Sequence, residues 1–434
     1  MKKVKYHELT LRQNFSWNIA GNIVYAASQW GIIVVLAKLT TPEGLGYFAL
    51  ALAITAPVIM LTQLNLRSVQ ATDATGEYSF GHYVGLRLIT TAVAFIIISI
   101  IAWIGDYSQK VTLVVLAIGL AKAFESISDV CYGLMQCYER MDRIAKSLML
   151  KGPISLAALG LMVFLTGDVF WGAAALAVTW LLLLLFYDLR NAFLTLCENH
   201  SAGGKNPADP TMSPEFNRKV LMKLVRLAIP LGIVAGLISL QTNIPRYFIE
   251  KQLGMAELGI FAALAYFVKA STIIVSAMGG AVVPRLAKYY AATHIDKYKN
   301  LLWRMACIGL FVGLGGVLLV LIAGRPILTI LYQPEFADRV SVLLWLMIAG
   351  CFSYIASSLG YGMTAARYFD AQLPLFVIVT AATYAASLCL IPGLELHGAA
   401  CALMIGALVQ IVGSGLVVAH ALKKKMRERP LNVS

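Results

Sequence analysis

Three charged residues lie close together inside one apolar stretch of the chain: Lys122, Glu125 and Asp129. Their spacing of three and seven positions places all three on one face of a helix. A charge inside a membrane-spanning helix is costly and usually faces a cavity or a partner charge. Two interpretations therefore stay open. Lys122 and Glu125 form an ion pair that fixes helix packing, or the face lines a polar cavity in which Glu125 or Asp129 exchanges a proton.

Lys269 is a further charged residue in an apolar stretch, in the second half of the chain. No acid shares its predicted helix, so it either pairs with Glu125 or Asp129 or faces water and offers its charge to an anion.

Three arginines are candidates for the same role. Arg246 follows Pro245 near one end of a predicted helix, where its long side chain can also reach the membrane surface. Arg67 and Arg87 lie near the ends of two predicted helices. They either reflect only the orientation of the chain or surround the mouth of a cavity.

Residues for enzymatic or metal chemistry are sparse. The six histidines are scattered without an H-E-x-x-H pattern, and none of the seven cysteines forms a CxxC pair. A GxxxxGK[ST] phosphate loop is also absent from the sequence, so the chain contains no ATP-binding module of that kind. We therefore expect no enzyme, no catalytic residue, no metal site and no cofactor.

The candidate residues are embedded in a very apolar chain. Of 434 residues, 59% are hydrophobic and 13% are charged, whereas a soluble domain carries about 25% charged residues. A helix of about 20 apolar residues crosses a bilayer. The sequence therefore predicts an all-α integral membrane protein with about twelve transmembrane helices. The predicted spans are 14–37, 45–66, 83–104, 111–136, 148–166, 170–189, 227–250, 258–283, 301–324, 340–364, 372–392 and 396–421.

Basic residues between these spans indicate the orientation. With the N-terminus in the cytoplasm, 27 Lys and Arg residues fall on the cytoplasmic side and five on the opposite side. Both termini are therefore predicted to be cytoplasmic. The net charge of +13 has this cause, and we expect no nucleic-acid partner.

A polar stretch over 190–226 divides the spans six to six and is predicted to be a cytoplasmic linker between lobes 1–189 and 227–434. The two halves also share a short repeat. KLTTPEGLGYFA at 38–49 and KQLGMAELGIFA at 251–262 match at five of twelve positions. Since six is even, both halves enter the membrane in the same direction, and parallel repeats of this kind are typical of transporters.

Several short segments, in their order and their positions relative to the spans, resemble the Wzx-type polysaccharide flippases of bacteria. Those flippases belong to the superfamily that includes the MATE exporters and the lipid II flippases. The segments are NIAGN at 18–22, PEGLGYF at 42–48, GLMQ at 133–136, RYFI at 246–249, ILTILY at 327–332 and PEFA at 334–337.

This resemblance implies two six-helix lobes that form a V around a central cavity of alternating access. It implies transport of an undecaprenyl-diphosphate-linked oligosaccharide from the cytoplasmic to the periplasmic leaflet of the bacterial inner membrane. Such cavities are typically cationic, which suits a diphosphate. Lys122, Lys269, Arg246, Arg87 and Arg67 are the candidate substrate-binding residues of this chain, and Glu125 and Asp129 are the candidate coupling or ion-pair residues.

The resemblance also implies membrane lipids, a polysaccharide polymerase and chain-length proteins as partners, and function as a monomer. The glycan stays open between O-antigen, capsule and other surface polymers. One departure concerns Arg246: many relatives carry Asp directly before this position, and this chain has Pro245.

Three alternatives come from the same fold. A MATE-like exporter of cationic drugs is expected to use acids in its first helix, and 14–37 contains no Asp or Glu. A lipid II flippase tends to have two further helices. A non-transporting scaffold for polysaccharide synthesis would be distinguished by its binding partners.

Overall fold

The structure is a computed structural model that describes residues 9–73, 77–201 and 212–427. Helices are the only regular secondary structure in this described part, which confirms the all-α prediction. The chain divides into two compact units, Met1–Ser239 and Leu240–Ser434.

The first unit contains eight helices and the beginning of a ninth. A short π-helical turn, Leu184–Asp188, joins two of them into one long element. The helices are α1 Leu11–Leu39, α2 Pro42–Thr62, α3 Leu66–Thr72, α4 Phe80–Ile104, α5 Gln109–Cys137, α6 Met141–Thr166, α7 Val169–Leu183, α8 Leu189–Ser201 and α9 Arg218–Leu253.

The second unit begins within α9 and continues through helices of 26 residues or more, with one short helix between them. These are α10 Met255–Ala291, α11 Ile295–Leu331, α12 Pro334–Ala337, α13 Val340–Ala365 and α14 Gln372–Arg427.

The prediction of about twelve transmembrane helices agrees with the structure. Eleven helical stretches of the described residues are long and apolar enough to cross a membrane. The longest, α14, is broken at Glu395, where φ is 49° and ψ is −129°. Both parts, 372–394 and 396–427, exceed the roughly 20 residues that a bilayer requires.

Short polar side chains start many of these helices. The residue before the first turn accepts a hydrogen bond from a backbone N–H that otherwise has no partner in the helix. In α2 the following residue, Pro42, has no N–H to satisfy and therefore suits the first helical position. These capping residues are Thr10, Thr41, Ser79, Ser108 and Asp168.

The predicted linker 190–226 is partly helical, because α8 extends to Ser201 and α9 begins at Arg218; residues 202–211 lie outside the described residues. The stretch before α9 lies against α4. Glu215 N–H donates to the Gly81 carbonyl at 2.9 Å, and a Cβ at Gly85 would stand 2.4 Å from the Glu215 carbonyl oxygen. The glycine is what lets the two backbones approach this closely. The lobe boundaries 1–189 and 227–434 stay a prediction.

Close packing of α1 on α6 sets the position of the Tyr25 side chain. A Cβ at Gly152 would stand 2.7 Å from the Ser28 hydroxyl and 3.2 Å from the Tyr25 Cα. Because Gly152 has no side chain, α1 comes near enough for Tyr25 to reach α5.

Candidate functional site

One face of α5 carries the charged residues that the sequence singles out. Lys122, Glu125 and Asp129 follow one another at helical spacing, and Tyr132 continues the same face. The side chains of the three charged residues are about a quarter exposed. The structure therefore brings together within the first unit the three residues predicted to share a face.

Lys122 forms an ion pair with Glu125. Its Nζ lies 2.7 Å from Glu125 Oε2, and the Tyr25 hydroxyl donates to Glu125 Oε1, also at 2.7 Å. Both oxygens of the carboxylate are thus engaged, one by a cation and one by a neutral donor. Lys122 Nζ also lies 4.9 Å above the centre of the Trp180 ring, within range of a cation–π contact.

Asp129 holds two arginines. Arg87 Nη2 lies 3.2 Å from Asp129 Oδ2, and Arg67 Nη1 lies 3.6 Å from Asp129 Oδ1. The Arg87 side chain is 2% exposed, and its Nε has no hydrogen-bond partner. Arg67 is 31% exposed and also donates from Nε to Gln136 Oε1 at 2.9 Å. A single carboxylate therefore balances two guanidinium groups.

A second buried pair, Lys151 with Asp188, was not among the predicted site residues. The two side chains are 1% and 0% exposed, and their charged atoms are 3.8 Å apart. Asp188 also accepts a hydrogen bond from the Ser147 hydroxyl at 2.5 Å, while the Tyr132 hydroxyl lies 2.7 Å from that of Ser147. Asp188 ends the π-helical turn, a local widening of helices that is frequent at functional sites.

Cations and aromatic rings alternate along this region. Lys151 Nζ lies 5.6 Å from the Trp180 ring centre and 5.3 Å from that of Tyr132, and Arg67 lies 5.7 Å from the Tyr132 ring. Together with the contact of Lys122 on Trp180, they form a series that we call the cation–aromatic ladder: Lys122, Trp180, Lys151, Tyr132 and Arg67. Trp180 is held in place by its indole N–H, which donates to Ser155 at 2.8 Å.

Each cation of the ladder lies within ion-pair distance of a carboxylate. Glu125 faces Lys122, Asp188 faces Lys151, and Asp129 faces Arg67 and, from outside the ladder, Arg87. With all groups ionised, the four cations and three carboxylates sum to a formal charge of +1. The region is therefore nearly neutral, and an anion can bind it strongly only after a carboxylate moves away or gains a proton.

The count of basic residues on the cytoplasmic side included Lys151 although this residue falls inside the predicted span 148–166, and the structure shows that including it among loop residues is wrong. Lys151 lies inside α6, ten residues after the helix begins at Met141. A signal was present in the sequence, since Lys151 follows the apolar residues Leu148, Met149 and Leu150 and directly precedes another apolar run. Asp188 carried a weaker signal, as the acid three residues after the leucine run 181–185.

The second unit contains the other two candidates, and their surroundings differ. Lys269 is exposed on α10, with its Nζ 5.0 Å from the Tyr266 ring centre. Arg246 is partly buried on α9 and donates from Nη1 to Asn243 Oδ1 at 3.1 Å, while its Nε has no hydrogen-bond partner. Neither side chain forms an ion pair with a described carboxylate of the second unit. Both charges are therefore available to an anion without prior release.

A cavity of about 250 Å³ lies beside the buried arginine of the first unit. Its walls are apolar apart from Arg87, and Met212 of the stretch before α9 contributes to them. No cluster of His, Cys, Asp and Glu residues suited to a metal ion occurs among the residues that the structure describes.

Sequence comparison relates the chain to known proteins. The model of a family described as "Polysaccharide biosynthesis protein" matches residues 11–290. The capsular polysaccharide biosynthesis protein CapF of Staphylococcus aureus is 26% identical over 400 residues, which cover 92% of this chain and 97% of the relative.

Solved structures show the same fold. An inward-facing multidrug resistance MATE family transporter of the MOP superfamily has a TM-score of 0.70 at 13% identity, over 95% of this chain and 99% of its own. An outward-facing conformation of such a transporter has a TM-score of 0.65 at 14% identity, over 99% of each chain. Both findings agree with the resemblance that the short sequence segments indicate.

Proposed function

Because this chain belongs to the polysaccharide biosynthesis protein family and has the fold of a multi-pass membrane transporter, we propose that it flips a lipid-linked oligosaccharide across the bilayer. The substrate is an oligosaccharide on undecaprenyl diphosphate, which moves from the cytoplasmic to the periplasmic leaflet of the bacterial inner membrane. The observation that carries the proposal is the family match over residues 11–290. The length-wide similarity to CapF supports a role in making a surface polysaccharide.

The chemistry of the candidate residues supports an anionic headgroup. A diphosphate carries several negative oxygens that Lys and Arg bind by charge-assisted hydrogen bonds. Lys269 is exposed without an acid beside it, and Arg246 keeps a donor without a partner. We assign these two residues to direct phosphate binding in the second unit.

Lys122, Arg67 and Arg87 play a conditional part in this proposal. Each is paired with a carboxylate, so each binds a phosphate only in exchange for that carboxylate. Glu125 and Asp129 are then the counter-ions that hold the site closed to anions when no substrate is present. Such an exchange permits binding on one side of the membrane and release on the other.

Transport by alternating access fits the parallel repeats of the two halves. We place both termini in the cytoplasm, as the distribution of basic residues favours. The direct partners are the lipid-linked saccharide and membrane lipids, and a polysaccharide polymerase with its chain-length protein would receive the flipped product.

The test is glycan export in cells that lack this gene. We expect surface polymer to be lost and the lipid-linked intermediate to accumulate, accessible from the cytoplasmic side only. Wild-type protein should restore export. Lys269→Gln should restore it at least tenfold less well at equal expression, a loss equivalent to about 1.4 kcal/mol of binding. Lys251→Gln is the matched control, since Lys251 is also exposed but lies in the last turn of α9.

Two results would contradict the proposal. Surface polymer that is unchanged in the deleted strain, with altered resistance to cationic compounds, would favour a MATE-like exporter. Loss of polymer without a trapped intermediate would favour a scaffold that organises polysaccharide synthesis.

A further inference from the structure

Lys151 and Asp188 form a buried pair that lacks the direct contact of Lys122 with Glu125. Their charged atoms are 3.8 Å apart, and Lys151 Nζ has no hydrogen-bond partner. Ser147 donates to Asp188 and is thus its closest polar contact. A buried pair recovers its desolvation cost only with excellent geometry and further hydrogen bonds. The acid has a second hydroxyl donor, Tyr132 at 3.5 Å, but the lysine side has neither good geometry nor a hydrogen bond, so little direct attraction to Lys151 is lost when the acid gains a proton.

The groups around Asp188 come from three elements. They are Lys151 of α6, Tyr132 and Cys131 of α5, and Tyr187 of its own π-helical turn. Tyr and Cys side chains are ordinarily neutral near pH 7. Lys151 is therefore the charged group against Asp188 in the part of the chain that the structure describes, and protonation of Asp188 leaves that lysine without its counter-ion.

Lys151 also has a second carboxylate within electrostatic reach, that of Glu125. Trp180 lies in contact with both Lys151 and Lys122, so the two lysines are neighbours across one ring. When Asp188 is neutral, the charge of Lys151 is balanced by Glu125. Glu125 then holds Lys122 less strongly, and Lys122 becomes available to an anion.

We propose that Asp188 is a proton-binding site whose protonation frees Lys122 from Glu125 for the diphosphate of the substrate. This inference rests on the proposed function, because it takes the diphosphate as the anion. One proton moves from water to the Asp188 carboxylate, which becomes a neutral acid, and no covalent bond to the substrate forms or breaks. The added positive charge is offset by the entering anion. By reciprocity, anion binding draws a proton onto the protein.

Isothermal titration calorimetry tests this coupling with the full chain in detergent and farnesyl diphosphate as the probe. Titrations in buffers of different ionisation enthalpy give the number of protons taken up. We expect uptake of about one proton per bound probe, and affinity that falls about tenfold per pH unit above the midpoint. Asp188→Asn should bind without this uptake and with an affinity that no longer follows pH.

The matched control is Asp106→Asn. Asp106 is exposed in a turn at φ 53°, a conformation that Asn also adopts readily. This variant should keep the proton uptake of the wild type. Protonation of the probe itself contributes equally to the wild type and to Asp188→Asn, so the difference in proton uptake between these two proteins reports on Asp188.

The outcomes separate the two proposals. Binding with the same proton uptake in Asp188→Asn overturns the proton site and leaves the diphosphate site standing. A wild-type chain that does not bind farnesyl diphosphate at all overturns both. If Asp188→Asn does not fold, Ser147→Ala replaces it: the carboxylate loses a donor, so the midpoint of uptake should move to higher pH. A midpoint that does not move counts against the proposal.

Discussion

Replacing Asp129 with Asn tests whether one carboxylate holds a buried arginine in place. Arg87 is 2% exposed, its Nη2 lies 3.2 Å from Asp129, and its Nε already lacks a partner. With Asn at this position, the guanidinium stays buried without an opposing charge within ion-pair distance among the described residues. Breaking a buried pair from one side costs about 3–5 kcal/mol. We expect a loss near 3 kcal/mol in the free energy of unfolding, because Asn still accepts a hydrogen bond.

The measurement is reversible unfolding in SDS, followed by far-UV circular dichroism. Arg67→Gln is the control: that side chain is 31% exposed and 3.6 Å from Asp129, so its removal should cost under about 1 kcal/mol. The double variant Arg87→Met/Asp129→Asn should be clearly more stable than the sum of its single variants predicts. The reasoning is refuted if Asp129→Asn costs under about 1 kcal/mol, or if the two single losses simply add.

Three further changes test other contacts of the first unit. Trp180→Leu removes the ring that Lys122 and Lys151 share. It should lower the free energy of unfolding by about 1–2 kcal/mol more than Trp180→Phe, which keeps a ring, and SDS unfolding of both variants measures the difference. Tyr25→Phe removes the neutral donor to Glu125 and should lower stability by about 1 kcal/mol in the same assay, and no change would show that the hydrogen bond contributes nothing. Gly85→Val should displace Glu215 from α4, because even a Cβ would stand 2.4 Å from its carbonyl oxygen; faster proteolysis near residue 215 than in Gly105→Val would show it.

The charges of α5 could be predicted from the sequence because helical spacing alone fixes which residues are neighbours. Lys122 and Glu125 are three positions apart, and the structure pairs them at 2.7 Å. Asp129 is four positions further along the same face. No tertiary information is needed for contacts of this kind. The partners of Asp129 could not be predicted in this way. Arg67 and Arg87 belong to α3 and α4, and their pairing with Asp129 depends on how these two helices pack against α5.

Lys151 and Asp188 could not be paired from the sequence for two physical reasons. The residues are 37 positions apart and lie in different helices, so their contact depends on the packing of α6 against the long element that begins with α7. The π-helical turn Leu184–Asp188 also changes which direction its side chains face, and helical periodicity counted from α7 would not predict that rotation. Lys151 was also grouped with the loop residues Arg140, Arg143 and Lys146, although the predicted span 148–166 already contained it.

Every cation of the ladder is paired with a carboxylate, so these residues do not present a strong positive charge before an anion binds. In a low-dielectric interior, an unpaired cation is costly while the protein waits for substrate, and a nearby carboxylate removes that cost. The same carboxylate competes with the diphosphate for the cation. A transporter benefits from that competition, because a site that binds its anion too tightly on one side does not release it on the other. Under the proposed function, the exposed Lys269 attracts the diphosphate without a competing carboxylate, whereas the paired lysines of the ladder bind it only in exchange for their carboxylates.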